Sequence, residues 1–142
     1  MKRYLAIAML VLVTALATVA QAGGGTLASS PYGEWKAKMT KNELLDYGLV
    51  DPRFVGTWKL ILKRDGTNRA FNGLDRWTSG SLTVSGKRLV VQKDAACDQN
   101  FPNSKGVYRW SIKQAKLKLT VVGTDRCGGR WQTLTVPLWT RA

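Results

Sequence analysis

Cys97 and Cys127 are the two cysteines of the chain, and a disulfide between them is the covalent chemistry that the sequence favours. Without a third cysteine, the intramolecular pairing is unique. A zinc site is the weaker interpretation, because the chain has no histidine and two distant cysteines make no zinc-binding pattern. We therefore predict one disulfide, formed in an oxidising compartment.

Carboxylates are the remaining candidates for catalysis, since the absence of histidine excludes Ser-His-Asp triads and histidine acid–base catalysis. Asp65 and Asp75 lie in or beside turn dipeptides, and Asp94 and Asp98 border the segment around the first cysteine. No spacing among them indicates the carboxylate pair of a glycosidase. Neither a P-loop nor a nucleophile elbow is present. We expect a protein that is not an enzyme and that uses no metal or cofactor.

Tryptophans are the main sign of a binding function, and the chain has six. An indole ring supplies a large apolar area with one polar edge. Such rings either line a cavity, form a platform on which sugars stack, or pack as ordinary core residues on inward strand faces. The candidates are Trp77, Trp110, Trp131 and Trp139. In a strand, odd- and even-numbered residues point to opposite faces of the sheet. Trp131 and Trp139 would therefore lie on one face and Leu134, Val136 and Leu138 on the other, and one of these two sets is expected to face outward.

Residues 1–22 have the pattern of an export signal. Lys2 and Arg3 form a basic start, residues 5–20 are uncharged, and Ala20-Gln21-Ala22 supplies the small-x-small pattern that a signal peptidase needs. A membrane anchor is the alternative, but the apolar stretch is short for a span of about 20 residues. We predict a secreted or periplasmic protein that does not span the membrane after signal removal.

Residues 23–40 are expected to form a flexible leader, because they begin with small and polar residues. Thr40 and Glu43 have the spacing of a capping box, and Gly48 stands where a helix C-cap is expected. A short helix is therefore predicted at 41–47, at the start of a barrel domain that spans 41–142. Deletion of residues 23–40 is expected to leave that fold intact.

Turn dipeptides divide the rest of the chain into short apolar segments, which is typical of an antiparallel meander. The dipeptides are Asp65-Gly66, Asn72-Gly73, Ser79-Gly80 and Ser85-Gly86. The predicted strands are 54–64, 67–71, 74–78, 81–84, 88–93, 107–113, 116–122 and 130–140. Because a small protein made of hairpins must protect its sheet edges, we predict an all-β, antiparallel up-and-down barrel of about eight strands.

Gly56-Thr57-Trp58 opens the first predicted strand and resembles the G-x-W motif of lipocalins and the wider calycin group. The likeness to small secreted lipocalin-like domains with one disulfide continues through 106–110, 117–119, 125–130 and 139–141. In lipocalins the motif tryptophan closes one barrel end, and an arginine near the C-terminus packs across it, as a guanidinium stacks on an indole. The resemblance implies that Arg141 or Arg130 covers Trp58 in a structural role.

A barrel of this size has an interior that is either filled by side chains or holds one small ligand. We predict a non-enzymatic barrel that binds a small apolar molecule. A secreted inhibitor or interaction protein for an extracellular enzyme is the alternative. The residues expected to line the interior are Trp58, Leu60, Tyr108, Trp110, Leu117, Leu119 and Leu134.

The chain is strongly basic, with a formal net charge of +13, to which the predicted signal contributes Lys2 and Arg3. A surface of this sign attracts polyanions. For an exported protein, anionic cell-surface glycans or lipids are the expected partners, and nucleic acid is not. The alternative is that the charge only keeps the protein soluble.

Overall fold

The structure of the protein, a computed structural model, describes residues 30–142. The predicted export signal and residues 23–29 of the predicted leader lie outside the described residues. Eight strands make up most of the fold: β1 (Gly33–Met39), β2 (Gly56–Leu62), β3 (Thr67–Asn72), β4 (Asp75–Ser85), β5 (Arg88–Gln92), β6 (Gly106–Lys113), β7 (Lys116–Val121) and β8 (Trp139–Arg141). The helices are α1 (Lys41–Asp46), a 3-10 helix (Pro52–Phe54), α2 (Ala95–Asp98) and α3 (Gly128–Thr135).

The sheet is a closed barrel in which each strand pairs with the next and β8 pairs with β1. All of these pairings are antiparallel. The closing contact is short, with Trp35 opposite Arg141 and Lys36 opposite Thr140. The predicted all-β, antiparallel up-and-down barrel of eight strands is confirmed.

The two ends of the barrel differ because the connections alternate between them. One end, here called the hairpin end, carries the tight turns 63–66, 86–87 and 114–115 and the end of β8. The other, here called the helical end, carries the connections 40–55, 73–74, 93–105 and 122–138, which contain all of the helices just described. The helical end is therefore where irregular backbone and side chains of several elements meet.

Strand β1 lies in the segment that was expected to be a flexible leader. Trp35, Ala37 and Met39 are buried and alternate with the exposed Lys36 and Lys38, as in any half-buried strand. Ala37 faces Trp58 on β2, so a small side chain leaves room for a large one. Residues 33–39 therefore belong to the barrel, and deletion of 23–40 would remove one of its strands.

Helix α1 begins with the hydrogen bonds of a capping box. The Glu43 N–H donates to the Thr40 hydroxyl oxygen at 3.3 Å, and the Thr40 N–H donates to the Glu43 carboxylate at 2.8 Å. Gly48 follows with a φ of +71°, a conformation that ends helices and favours glycine. The buried residue of this helix is Leu44, which anchors it to the barrel core.

Strand β4 runs through Ser79-Gly80, where a turn was predicted. That prediction was wrong because Gly80 serves a different purpose: a Cβ at this position would lie 2.8 Å from the Gln92 carbonyl oxygen. The glycine thus allows the backbone that follows β5 to approach β4 closely. One long strand replaces the two predicted at 74–78 and 81–84, and with β1 added the number of strands is again eight.

The predicted strand at 130–140 is instead helix α3 followed by the short β8. In the helical form, two threonine hydroxyls bond to the carbonyl four residues earlier: Thr133 donates to the Gly129 carbonyl at 2.8 Å and Thr135 to the Trp131 carbonyl at 2.7 Å. Leu134 and Trp139 are both buried. Their opposed strand parity has no consequence here, because they lie in different elements.

The packed core reaches both ends of the barrel, from Trp110 at the hairpin end to Trp58 at the helical end. Its largest fully buried side chains are Trp35, Trp58, Trp139 and Tyr108. Each of the three indole N–H groups donates to a backbone carbonyl: Trp35 to Pro31, Trp58 to Phe54 and Trp139 to Leu134. These bonds satisfy the polar edges of rings that are otherwise buried in the apolar core.

Candidate binding cavity

A cavity of about 560 Å³ lies inside the barrel toward the helical end. Strand residues form its inner wall, and the 3-10 helix, α2 and α3 surround its mouth. The barrel interior is therefore packed in one part and open in the other. This volume is in the range of small-molecule sites in proteins, about 300–1,000 Å³.

The deep part of the cavity is apolar. Leu60, Ala70 and Val91 from the strands and Leu134 from α3 line it, and each is almost completely buried. Ala70 is the smallest side chain of this group and leaves space that a larger residue would fill. A ligand held here would contact mainly aliphatic surface.

Aromatic rings form one side of the mouth. Phe54 and Trp77 line the cavity, and their ring centroids are 5.5 Å apart. Trp77 also meets Trp58 edge-on, with ring centroids 5.2 Å apart, so a half-buried ring packs on a fully buried one. Edge and offset contacts of this kind are favourable beyond the area that they bury, which keeps Trp77 in place beside the opening.

Polar and charged side chains also line the cavity, and several of them are engaged with neighbours in the protein. Asp94 is 1% exposed and accepts hydrogen bonds from the Thr78 hydroxyl and, at 3.0 Å, from the Ala96 N–H. The Asn68 amide, which lines the wall, donates to the Ser81 carbonyl at 3.1 Å. Gln132 adds a second amide from α3. The cavity thus offers hydrogen bonds at particular places on an apolar surface.

The disulfide joins two elements at the mouth. Cys97 lies in α2 and Cys127 immediately precedes α3, and the two Cα atoms are 5.6 Å apart. Both cysteines line the cavity. The predicted pairing is confirmed, and it fixes α2 against the start of α3 where the cavity opens.

Beneath the disulfide lies a buried ion pair that orients the start of α3. The Arg130 guanidinium donates to the Asp125 carboxylate at 2.6 and 2.8 Å, and the two side chains are 2% and 0% exposed. The Tyr108 hydroxyl and the Cys127 N–H also donate to Asp125. Arg130 extends the network to Ser104, whose carbonyl oxygen lies 3.3 Å away. A bidentate geometry with every oxygen bonded is what makes such a buried pair tolerable.

This network determines the protonation of its members. Burial acts to raise the pKa of Asp125, but the hydrogen bonds from Arg130, Tyr108 and Cys127 outweigh it and hold that pKa below its ordinary value. Burial and the hydrogen bond to the charged Asp125 raise the pKa of Tyr108 well above its ordinary value. Asp125 is therefore an anion and Tyr108 a neutral donor at physiological pH, a static arrangement rather than a proton-transfer pair.

Glycine is required beside this network. A Cβ on Gly106 would lie 2.6 Å from the Tyr108 hydroxyl oxygen and would also collide with the Asp125 carboxylate. Gly106 opens β6, directly after the loop that contains Cys97. At this point the backbone comes close to the charged Asp125, which explains why the segment 106–110 begins with glycine.

The residues expected to line the interior divide into two groups. Leu60 and Leu134 line the cavity. The other five, Trp58, Tyr108, Trp110, Leu117 and Leu119, are 0–5% exposed and pack in the core around it. Sequence reasoning missed Phe54, Asn68 and Ala70. The sequence of β3 did contain a signal of a cavity. Its buried, inward positions are Asn68 and Ala70, a polar and a small residue where the other strands have large apolar ones.

The motif residues also have structural positions, but their pairing differs from the expected one. Trp58 contacts Phe54 and Trp77, while the Arg141 guanidinium lies 4.1 Å above the ring of Trp35. Arg130 is bonded to Asp125. Arg141 covers Trp35 because these two residues face each other where β8 closes on β1, and β1 was not expected to be a strand.

Gly56 of the G-x-W motif has a φ of +144°, which favours glycine. The Asn72 side chain occupies the space that a Cβ on Gly56 would need. Asn72 in turn donates to the Arg53 carbonyl at 3.0 Å and so ties the 3-10 helix to the β3–β4 turn. The motif therefore shapes one side of the cavity mouth.

None of the helices in the described part of the chain is long and apolar enough to cross a membrane. Within residues 30–142, no cluster of three or more metal-ligating side chains occurs. Comparison of the chain with protein-family models, with curated proteins and with solved structures gives no match.

Proposed function

We propose that this protein is an exported, non-enzymatic barrel of the calycin type that binds one small, mainly apolar molecule. The observation that carries the proposal is the cavity of about 560 Å³ within a closed barrel, with an aliphatic floor and a covalently fixed mouth. A core that needed only stability would be filled, since interiors are close-packed and voids are costly. The export signal predicted at residues 1–22 and the Gly56-Thr57-Trp58 motif agree with a lipocalin-like binding protein.

The lining suggests the chemistry of the ligand. Leu60, Ala70, Val91 and Leu134 favour an aliphatic or ring-containing body, and the indole of Trp77 at the mouth favours a flat or unsaturated part. Asn68 offers an amide for one hydrogen bond. The ligand proposed is therefore a mainly apolar molecule whose polar part would lie near Asp51, Arg53 and Gln132, which also line the cavity.

A non-catalytic role is favoured by the state of the buried carboxylates. Asp94 and Asp125 are each bonded to neighbours in the protein. Their hydrogen bonds hold loops and helix starts in place. General acid–base catalysis needs a carboxyl group that can reach the substrate and exchange a proton.

Binding of a neutral fluorescent probe, N-phenyl-1-naphthylamine, tests the proposal. We expect saturable binding with one site, and an affinity at least about tenfold weaker in Ala70→Phe, which fills the cavity floor. Thr83→Phe places the same ring on an exposed residue of β4 and is the matched control, with affinity unchanged. Non-saturable binding, or equal binding by both variants, would contradict a site inside the barrel.

Natural ligands are sought by native mass spectrometry of the exported protein after incubation with a lipid extract of its source. A bound mass that disappears in Ala70→Phe and persists in Thr83→Phe is the expected result. Absence of any bound species, together with a probe that does not bind, would overturn the proposal.

A second candidate function is that of an interaction protein or inhibitor, and the apolar surface of the helical end favours it. Leu74 is fully exposed at the tip of the β3–β4 turn, and Val50 and Tyr47 are 82% and 54% exposed on the neighbouring connection. Exposed large apolar residues at one end of a molecule are a feature of protein contact surfaces. If this function is correct, Leu74→Ser should abolish capture of a partner from extracellular fluid without changing probe binding; capture that survives Leu74→Ser speaks against this surface.

A further inference from the structure

The hairpin end carries a regular arrangement of cations. Each of its three tight hairpins presents two basic side chains, and all six are exposed. The six are Lys63 and Arg64, Lys87 and Arg88, and Lys113 and Lys116. Exposed Arg141, at the end of β8, adds a seventh at the same end. Because the hairpins come from three separate strand pairs of a closed barrel, their cations are distributed around a ring.

Little at this end opposes the positive charge. Of the described residues, Asp65 and Glu34 are the acidic side chains there, and Asp65 is engaged with the hydroxyl and N–H of Thr67. The well-exposed large apolar side chains of residues 30–142 lie on other segments, mainly the connections of the helical end. The hairpin end is thus cationic and polar, and the helical end is apolar around the cavity mouth.

Aromatic rings hold three of these cations in place. The Lys87 ammonium lies 3.8 Å from the centroid of Trp110, the Arg64 guanidinium 5.0 Å from that of Tyr32, and Arg141 4.1 Å from that of Trp35. A cation over a ring face is attracted by the ring quadrupole. The ring of charge is therefore partly ordered before any partner arrives, which lowers the entropic cost of binding.

We propose that the hairpin end binds the headgroup surface of a bilayer that contains anionic phospholipid. A ring of cations at the flat end of a cylinder matches a planar array of phosphates. A linear polyanion would be matched better by a stripe or groove, and single-stranded nucleic acid also needs exposed aromatic rings for stacking. Trp110 and Trp35 are buried beneath their cations. Bound in this way, the barrel would direct its cavity mouth away from the membrane.

Co-sedimentation with vesicles tests the proposal. The vesicles consist of phosphatidylcholine alone or with about 30 mol % phosphatidylglycerol. We expect binding only to the anionic vesicles, and a large loss of binding between about 50 and 200 mM NaCl, since among residues 30–142 the hairpin end presents cations and no exposed large apolar side chain. Equal binding to both vesicle types would overturn the proposal.

Matched triple substitutions separate the hairpin end from net charge. K87Q/K113Q/K116Q should weaken partitioning onto anionic vesicles about 100-fold, at about fivefold per cation. K36Q/K38Q/K118Q removes the same charge from exposed positions on the barrel wall and should weaken it several-fold at most. Equal loss in the two variants would show that only net charge matters, and so would defeat the proposal.

Two further measurements keep the outcome clear. Thermal unfolding of both variants shows whether either change damages the fold; should K87Q loosen the contact with Trp110, K113Q/K116Q alone is compared with K36Q/K118Q. Heparin and a single-stranded oligonucleotide are tested as linear polyanions. Tight binding to either one that K87Q/K113Q/K116Q removes, with no vesicle binding, would overturn the bilayer in favour of a linear partner.

Discussion

The Asp125 carboxylate receives hydrogen bonds from β6, from α3 and from the backbone that carries the disulfide, through Tyr108, Arg130 and Cys127. Several segments of the helical end therefore converge on one buried charge. Replacing one member of a buried ion pair lowers the free energy of unfolding by more than the intact pair contributes to it, because the remaining charge stays buried without a partner. The arrangement makes the mouth rigid at the scale of single side chains.

Asp125→Asn should lower the free energy of unfolding by about 3–5 kcal/mol near neutral pH and should flatten its dependence on acid pH. Because the pKa of Asp125 is lowered in the folded protein, the unfolded chain takes up a proton first as the pH falls. The stabilisation from this group is complete above the unfolded pKa of about 3.9 and is lost as the pH falls through the lower folded value. Urea unfolding at a series of pH values measures both effects; exposed Asp75→Asn is the control. An acid slope as steep as that of the unmodified protein would contradict the role of Asp125.

Gly106→Ala should destabilise the protein by about 1–3 kcal/mol, since the new methyl group must displace Tyr108 or Asp125 from a packed network. Gly128→Ala is the matched control. A Cβ there meets no atom within 4 Å, and alanine in the first turn of α3 is favoured by helix propensity. Chemical denaturation should give a loss for the first variant and no loss for the second; similar values for the two would argue against a tight contact at Gly106.

Among the strands, β1 shows how an element can be hidden by its neighbours in sequence. Its apolar positions are those of a strand, but it follows a polar segment and precedes a capped helix, and its inward alanine gives a weak hydrophobic signal. Only the opposite Trp58 explains that alanine. A contact of this kind is not visible until the pairing of strands is known.

Deletion of residues 23–40 should abolish cooperative folding, because β1 covers β2 and β8 and supplies Trp35 and Met39 to the core. Deletion of residues 23–29, which stops before the first described residue, is the control and should leave the thermal transition unchanged. Circular dichroism during heating distinguishes the two. A cooperative transition in the longer deletion would mean that the barrel closes without β1.

The hairpins and the capped helix α1 were predictable, because local chemistry decides them, whereas β1, the length of β4 and helix α3 were not. Asp65-Gly66 and Ser85-Gly86 make turns because their glycines have φ values of +84° and +54°. Ser79-Gly80 has the same composition, yet it lies in a strand because of a distant carbonyl. The segment 130–140 alternates like a strand, but its first part is α3, which buries Thr133 and Leu134 and packs against β7. In both cases tertiary packing overrides the local pattern.

On the scale of the whole molecule, the two barrel ends differ: the hairpin end is positively charged and the helical end contains the cavity. The sequence alone indicated a basic barrel protein but not this separation. Its net positive charge was evident, but the grouping of Lys63, Lys87, Lys113 and their neighbours at one end depends on strand direction. The cavity depends on volume: Asn68 and Ala70 leave space only because α3 stops at the mouth. Neither property follows from composition.

Replacement of both cysteines, Cys97→Ser with Cys127→Ser, should lower the free energy of unfolding by about 3–4 kcal/mol and leave strand content nearly unchanged. The barrel strands pair without the disulfide, which joins only α2 to α3. Affinity for the fluorescent probe should fall, because the mouth is no longer fixed. Denaturation, far-ultraviolet circular dichroism and probe titration check the three expectations. Loss of the β signal would mean that the disulfide maintains the whole barrel.

Strand β8 meets each of its neighbours over only two residue pairs, whereas β1 and β2 are matched along the full length of β1. The cylinder therefore has a seam, and α3 packs beside it against β7. The hydrogen bonds of β8 with β1 and β7 are expected to break in local opening events, which need less free energy than unfolding of the whole barrel. Amide hydrogens of β8 should exchange faster than those of β2. The strand residues that line the cavity belong to β2, β3, β4 and β5, on the part of the wall away from β8. Such breathing would therefore expose the buried rings of Trp35 and Trp139 to water before it opened any path to a ligand.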